Sequence, residues 1–267
     1  MGSANALQFA GITLDTILME ARLPEDKLVK CSTQLVDFCS RKSVTLKGLL
    51  NFACCVVVPG RAFLRRLIEL TKGVRKPTHH VRLTRESKHD INVWREFLSA
   101  YNGKSFFLCS RWATSRNLNL FTDAAGSLGY GAIFGKHWFF GEWPAAWKQF
   151  HITILELFPI VLAAEIWRPF ISDKCVVVSS DNQAVVDIIN KQTSKDRTVM
   201  VLLRRFVLCT LKYNILFHAK HVAGCVYRES DALSRLQVEK FRLLTPYADD
   251  KPTPNPVGLV PNNWPIT

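Results

Sequence analysis

The sequence predicts an α/β domain, with a mixed five-stranded sheet in the element order βββαβααβα, preceded by a helical subdomain. Three observations carry this reading. The first half of the chain holds successive apolar runs at helical spacing, the pattern changes near residue 117 to short aromatic-rich extended runs, and two later extended runs alternate with helical ones. At 267 residues, 48% hydrophobic and 21% charged, the chain can bury a real core, which excludes a wholly disordered protein.

Taken in order, Pro24 suits a first helical turn, and Leu28, Cys31, Leu35 and Phe38 follow at helical spacing. A second apolar run over 46–58 stops at Pro59-Gly60. A helix through Phe63, Leu64, Leu67 and Leu70 ends near Gly73, and another opens at Thr84 as N-cap, carries Ile91, Trp94, Phe97 and Leu98 on one face, and stops at Asn102-Gly103. Beyond residue 117, LNLFTDA, LGYGAIF and HWFFGEW read as antiparallel strands separated by Gly126 and by Gly135-Lys136. Then come a long apolar helix through Ile154, Leu157, Phe158, Val161 and Leu162, the strand KCVVVSS, the helix AVVDIINK and a helix through Val199, Leu202, Leu203 and Phe206. The strand NILFHAKHV and a short helix around ALSRLQ complete the order. The expected divisions are 1–22, a helical subdomain over 23–104, an α/β domain over 117–240 and a Pro-rich tail over 241–267.

The net charge is +13, and it is concentrated: residues 41–116 hold 16 Lys and Arg against four acids. These cations are interleaved with Phe52, Phe63, Trp94, Phe97 and Tyr101, a pattern that favours contact with a nucleic-acid backbone over a merely solvated face. Arg65 and Arg66 are the foremost candidates. A membrane is not expected as a partner, because a span needs about 20 apolar residues and the stretch 48–60 is closed by Lys47 and Arg61 and broken by Pro59. The N-terminus lacks the basic region of a signal peptide, so an intracellular location is expected, and the eight cysteines, with no C-x-x-C among them, read as reduced thiols. A zinc site at His218, His221 and Cys225 is disfavoured, since strand alternation sends the two histidines to opposite faces.

Four acids in the second half stand in apolar contexts on separate elements: Asp123 in FTDAAGS, Glu156 in ILELF, Asp181 in SSDNQ and Asp231 in ESDALSR. A carboxylate so placed is costly to bury unless it is paired or bound to a cation. Hard oxygen ligands suit Mg2+, with Mn2+ as a substitute, and two such ions about 4 Å apart promote phosphodiester cleavage.

With these acids in this order, the sequence resembles ribonuclease H. More closely, LFTDAAGSLGYGAIFG, ILELFPIVLA, SDNQAVVDIIN and DALSRLQ resemble the ribonuclease H region of reverse transcriptases from tyrosine-recombinase retrotransposons of the DIRS and Ngaro type. LLNFACCVVVPGRAFLRRLIELTKG and RLTRESKHDINVWREFL are similar to the thumb and connecting segment of those proteins, and FAGITLDT to the strand closing the palm. The resemblance covers roughly residues 8–245. It implies a ribonuclease H fold after a thumb-like subdomain, and cleavage of the RNA strand of RNA:DNA hybrids by metals held on Asp123, Glu156, Asp181 and Asp231. It also implies that Gln183 reads the minor groove of the hybrid. Cys225 stands where many relatives carry a histidine, Tyr227 stands where some carry Asn, and His221 reads as a strand-end residue. Tyr247-Ala248-Asp249-Asp250 spells a polymerase motif, but its position after the tetrad and beside Pro246 and Pro252 makes it a coincidence, and no polymerase activity is expected. The alternative from another class is a catalytically silent, retroelement-derived module that binds nucleic acid or protein.

Overall fold

The computed structural model describes residues 5–17, 20–40, 43–44, 53–54, 57, 60–70, 72–73, 76, 80–100, 105–106, 113–213, 215–222 and 228–256. The chain divides into two compact units, Met1–Leu108 and Cys109–Thr267.

In the first unit, strands β1 (Ala6–Phe9), β2 (Ile12–Asp15) and β3 (Glu20–Arg22) form an antiparallel sheet. Pro24 leads into α1 (Glu25–Ser40), whose Cys31 and Leu35 are buried as their spacing predicts. The short strands β4 (Ser43–Val44) and β5 (Val81–Arg82) pair, and α2 (Arg61–Leu70) lies between them in sequence. Helix α3 (Arg85–Ala100) is capped by Thr84, whose Oγ1 accepts from the Ser87 amide at 3.2 Å. Ile91, Trp94, Phe97 and Leu98 form its buried face, and Phe97 meets Phe63 of α2 edge-on at 5.5 Å. Strand β6 (Ser105–Phe106) adds to β3 as the fourth strand. Most of the expected helix over 46–58 lies outside the described residues.

In the second unit, β7 (Ala113–Thr114) is followed by the single turn α4 (Ser115–Leu118) and then by β8 (Leu120–Ala124), β9 (Gly129–Phe134) and β10 (His137–Glu142). These last three form the expected antiparallel meander, in the order β10-β9-β8. Gly135 takes a φ of +57° in the two-residue loop between β9 and β10, a conformation that a side chain would strain. Helix α5 (Ile152–Ile171) is buried along nearly its whole length, and Phe158 packs against Tyr130, Trp143 and Trp147 at ring distances of 4.9, 5.5 and 5.0 Å. Strand β11 (Cys175–Ser180), α6 (Gln183–Lys191), α7 (Arg197–Lys212), β12 (Leu216–His221), α8 (Arg228–Ser234) and α9 (Val238–Leu244) complete the unit.

The unit is therefore mixed α/β, as expected, but the five-stranded sheet is not continuous. Instead, β12, β11 and β7 form a separate parallel sheet of three strands. The cause is local. Thr114 Oγ1 accepts from the Asn117 amide at 3.3 Å, which turns the chain and ends the strand after two residues. Val176 and Val177 of β11 pair with Ala113 and Thr114, so β7 holds the ladder position that β8 would take in a single sheet.

Residues 241–256, which composition assigns to a tail, pack onto β10. Phe241 packs against Trp138 with the rings tilted and their centroids 4.8 Å apart, Trp138 Nε1 donates to the Asp249 carbonyl at 2.8 Å, and Asn255 Nδ2 donates to the Phe140 carbonyl at 3.0 Å. An otherwise open strand edge is thereby covered. The Tyr247 to Asp250 motif takes part in this docking, with Asp249 hydrogen-bonded to His137 at 2.6 Å.

Buried Cys31, Cys54, Cys175 and Cys209 carry no disulfide, and burial pushes the Cys209 thiol up to about 11. Among the described residues, no helix is long and apolar enough to cross a membrane.

Candidate active site

Each of the four acids comes from a different element. Asp123 is the fourth residue of β8, Glu156 lies in the second turn of α5, Asp181 follows the last residue of β11, and Asp231 lies in α8. Asp123 and Gly131 are cross-strand partners, and α8 passes over that face of the meander. Fully buried Ser234 donates from Oγ to Asp123 Oδ2. On the neighbouring element, Ser180 Oγ donates to Glu156 Oε2 at 3.5 Å and accepts from the Asn182 amide at 3.1 Å. Asn182 caps α6 by accepting from the Ala184 and Val185 amides, while its Nδ2 donates to Thr153 Oγ1 at 3.4 Å. One asparagine thus ties the start of α6 to the start of α5.

The acids sense one another. Burial is the largest influence on Glu156, and the charges of Asp181 and Asp123 add to it, so that its carboxyl is pushed up to about 7 despite hydrogen bonds from Ser180 and Asn182. Asp123 is also raised, first by burial, then by Asp231 and Asp181, against the opposing hydrogen bond from Ser234 and the charge of Arg235. These influences link all four carboxylates into one electrostatic group. Asp231 differs from the rest in carrying an ion pair, with Arg235 Nε at 2.6 Å from its Oδ1. Among the described residues, no three His, Cys, Asp or Glu side chains are already gathered as a metal-ligand cluster.

Gln183 lies two residues past Asp181 on the exposed first turn of α6, and its amide donates to Asp187 Oδ1 at 2.9 Å. His221 pairs with Ser180 across the parallel ladder, and its Nε2 lies 3.0 Å from the Asp181 carbonyl. A carbonyl can only accept, so that nitrogen carries the proton. Cys225 and Tyr227 lie outside the described residues.

Arg65 and Arg66 belong to the first unit, and both are engaged. Arg65 Nε meets Glu69 at 3.1 Å along α2, and Arg66 Nη1 meets Asp90, which is completely buried, at 3.1 Å. Arg66 therefore has a structural role beside any contact with nucleic acid. Sequence reasoning missed Ser180, Asn182 and Ser234. The signal for Ser234 was available, because i and i+3 on a helix share a face and Ser234 is three residues past Asp231.

No known protein family and no curated protein matches the sequence. Among solved structures, the chain is similar to the foamy viral protease-reverse transcriptase dRH in complex with double-stranded DNA, at 13% identity and a TM-score of 0.28, covering 83% of this chain and 38% of that one. It is similar also to the foamy viral protease-reverse transcriptase in complex with an RNA/DNA hybrid, at 13% identity and a TM-score of 0.27, covering 81% of this chain and 29% of that one. The chain thus spans well under half the length of either structure.

Proposed function

We propose that the second unit is a metal-dependent endoribonuclease of the ribonuclease H type, cutting the RNA strand of RNA:DNA hybrids, and that the chain derives from a DIRS- or Ngaro-type reverse transcriptase. The observation that carries the reading is the electrostatic coupling of Asp123, Glu156, Asp181 and Asp231, four acids delivered by four elements. Such a group of like charges is costly without a counter-cation.

The donor set fits a hard divalent ion. All four candidate ligands are carboxylates, Asp181 is exposed, and Asp231 is held at the surface by an ion pair that a cation could displace. Asp123, Glu156, Asp181 and Asp231 would hold Mg2+ or Mn2+, which supplies Lewis acidity and an activated water when bound. The chain's own residues do the rest. Ser180 and Asn182 hold Glu156 in place, and His221 fixes the backbone beside Asp181. Gln183 offers an exposed amide to the shallow minor groove, where 2′-hydroxyls distinguish the RNA strand. The basic segment 41–116 would contact phosphates electrostatically.

The Arg235–Asp231 pair favours a second reading, a silent binding module in which arginine replaces the cation. A labelled hybrid incubated with the protein and Mg2+ separates the two. Cleavage of the RNA strand alone supports the enzyme, whereas binding without cleavage supports the module.

A further inference from the structure

We propose that Ser234 is a positioning residue for Asp123, and that Gly131 is the feature of the sheet that lets it act. The inference rests on the reading of the four acids as a cation site. Ser234 Oγ has one proton and two acceptors within reach, Asp123 Oδ2 and the Asp231 carbonyl at 3.0 Å. A carboxylate is the stronger acceptor, so the hydroxyl proton is directed to Asp123 in preference to the Asp231 carbonyl. With Oδ2 so engaged, Oδ1 of Asp123 is left to serve a cation. Ser234 thereby couples the first acid to the helix that bears the last one.

The coupling depends on how closely α8 lies on the meander. Gly131 is the cross-strand partner of Asp123, so any side chain there would project from the same face. A Cβ at Gly131 would fall 2.3 Å from Leu233 Cβ and 3.1 Å from the Ser234 amide nitrogen. Both neighbours are fixed: Leu233 is fully buried in a cluster with Ile133, Trp138, Ala232 and Phe241, and the amide nitrogen is backbone. Only glycine admits the helix at the height where the serine reaches Asp123.

The experiment compares full-length wild type, Ser234→Ala, Ser234→Thr and Gly131→Ala. Mn2+ binding is read by electron paramagnetic resonance of the free ion, folding by circular dichroism and thermal unfolding, and cleavage by kcat and KM on a labelled hybrid. Groups that orient metal ligands are worth about 10- to 100-fold in affinity or activity. Ser234→Ala should therefore stay folded, bind Mn2+ at least about 10-fold more weakly and lose kcat by a similar factor, with KM for the hybrid unchanged. Ser234→Thr, which keeps the hydroxyl, should recover most of the Mn2+ affinity. Gly131→Ala should weaken Mn2+ binding without altering any acid or the serine. Wild-type Mn2+ affinity in Ser234→Ala overturns the proposal, as does a wild-type protein that binds no Mn2+. If wild type binds Mn2+ but cuts no hybrid, the nuclease reading fails, and the Mn2+ affinities alone decide the role of Ser234.

Discussion

Glu156→Gln should stabilise the metal-free protein, and only at neutral to alkaline pH. In the folded chain, burial and the charges of Asp181 and Asp123 lift this carboxyl from 4.5 to about 7. A raised acid favours folding in its protonated form, so its stabilising contribution is complete below pH 4.5 and is lost as pH rises through about 7. The full interval corresponds to about 3 kcal/mol. Glu156 is only partly buried, and solvent screening reduces this to about 1–2 kcal/mol. Glutamine has no such titration. The Tm difference between variant and wild type should therefore grow by about 3–6 °C between pH 5 and pH 8, as measured by scanning calorimetry without divalent ions. Millimolar Mg2+ should close the gap by stabilising wild type at pH 8, since a ligand that binds only the folded state raises its stability. Parallel Tm curves for the two proteins from pH 5 to pH 8 would refute the electrostatic grouping of the acids.

The other expectations concern packing and charge outside the tetrad. Arg66→Ala removes the guanidinium from completely buried Asp90 and should cost about 1–3 kcal/mol in urea unfolding, whatever it does to nucleic-acid binding. An unchanged midpoint would remove its structural role. Arg65→Ala is the cleaner probe of the basic segment: if Arg65 meets a phosphate, the slope of log Kobs against log salt should shrink by about 0.9, and an unchanged slope returns it to its Glu69 pair. Burial works against ionisation of Asp249, but the His137 hydrogen bond and the charges of Lys136 and His137 outweigh it and hold the carboxyl below its usual range. That contribution is present above the ordinary carboxylate pKa and is lost as pH falls through the lowered value. Asp249→Asn should accordingly speed hydrogen exchange at the Asp249 and Thr253 amides at pH 7, and wild-type protection there would count against the tail contact.

Much of this architecture was legible because burial leaves a period in the sequence. Short aromatic-rich and apolar runs separated by glycine-bearing turns located β8 to β10, and the residues chosen for the faces of α3 and α7 are buried. Asp123 and Glu156 stood out because each interrupts an apolar stretch, whereas Asp181 and Asp231 lie among polar residues at the ends of their elements. What failed to show had short or distant causes. Strand β7 has two residues, too few for a period, and depends on a side-chain turn at Thr114 and Asn117. The docked tail is hidden by its proline content, since what holds it are contacts with Trp138, Phe140 and His137 more than 100 residues away. The charge count found Arg66 but not its partner Asp90, which sits 24 residues on in another helix. Sequence order likewise conceals that Ser234 meets Asp123, 111 residues earlier.

The most direct test compares wild type with Asp123→Asn on one end-labelled RNA:DNA hybrid in Mg2+, measuring cleavage and binding in parallel. The substitution keeps the size of the side chain and its acceptor for Ser234 while removing the charge. Wild type should cut the RNA strand and leave the DNA strand whole, and Asp123→Asn should bind with similar affinity and cut neither. Equal cleavage by the two proteins, or binding by both with no cleavage by wild type, would contradict a nuclease built on these four acids.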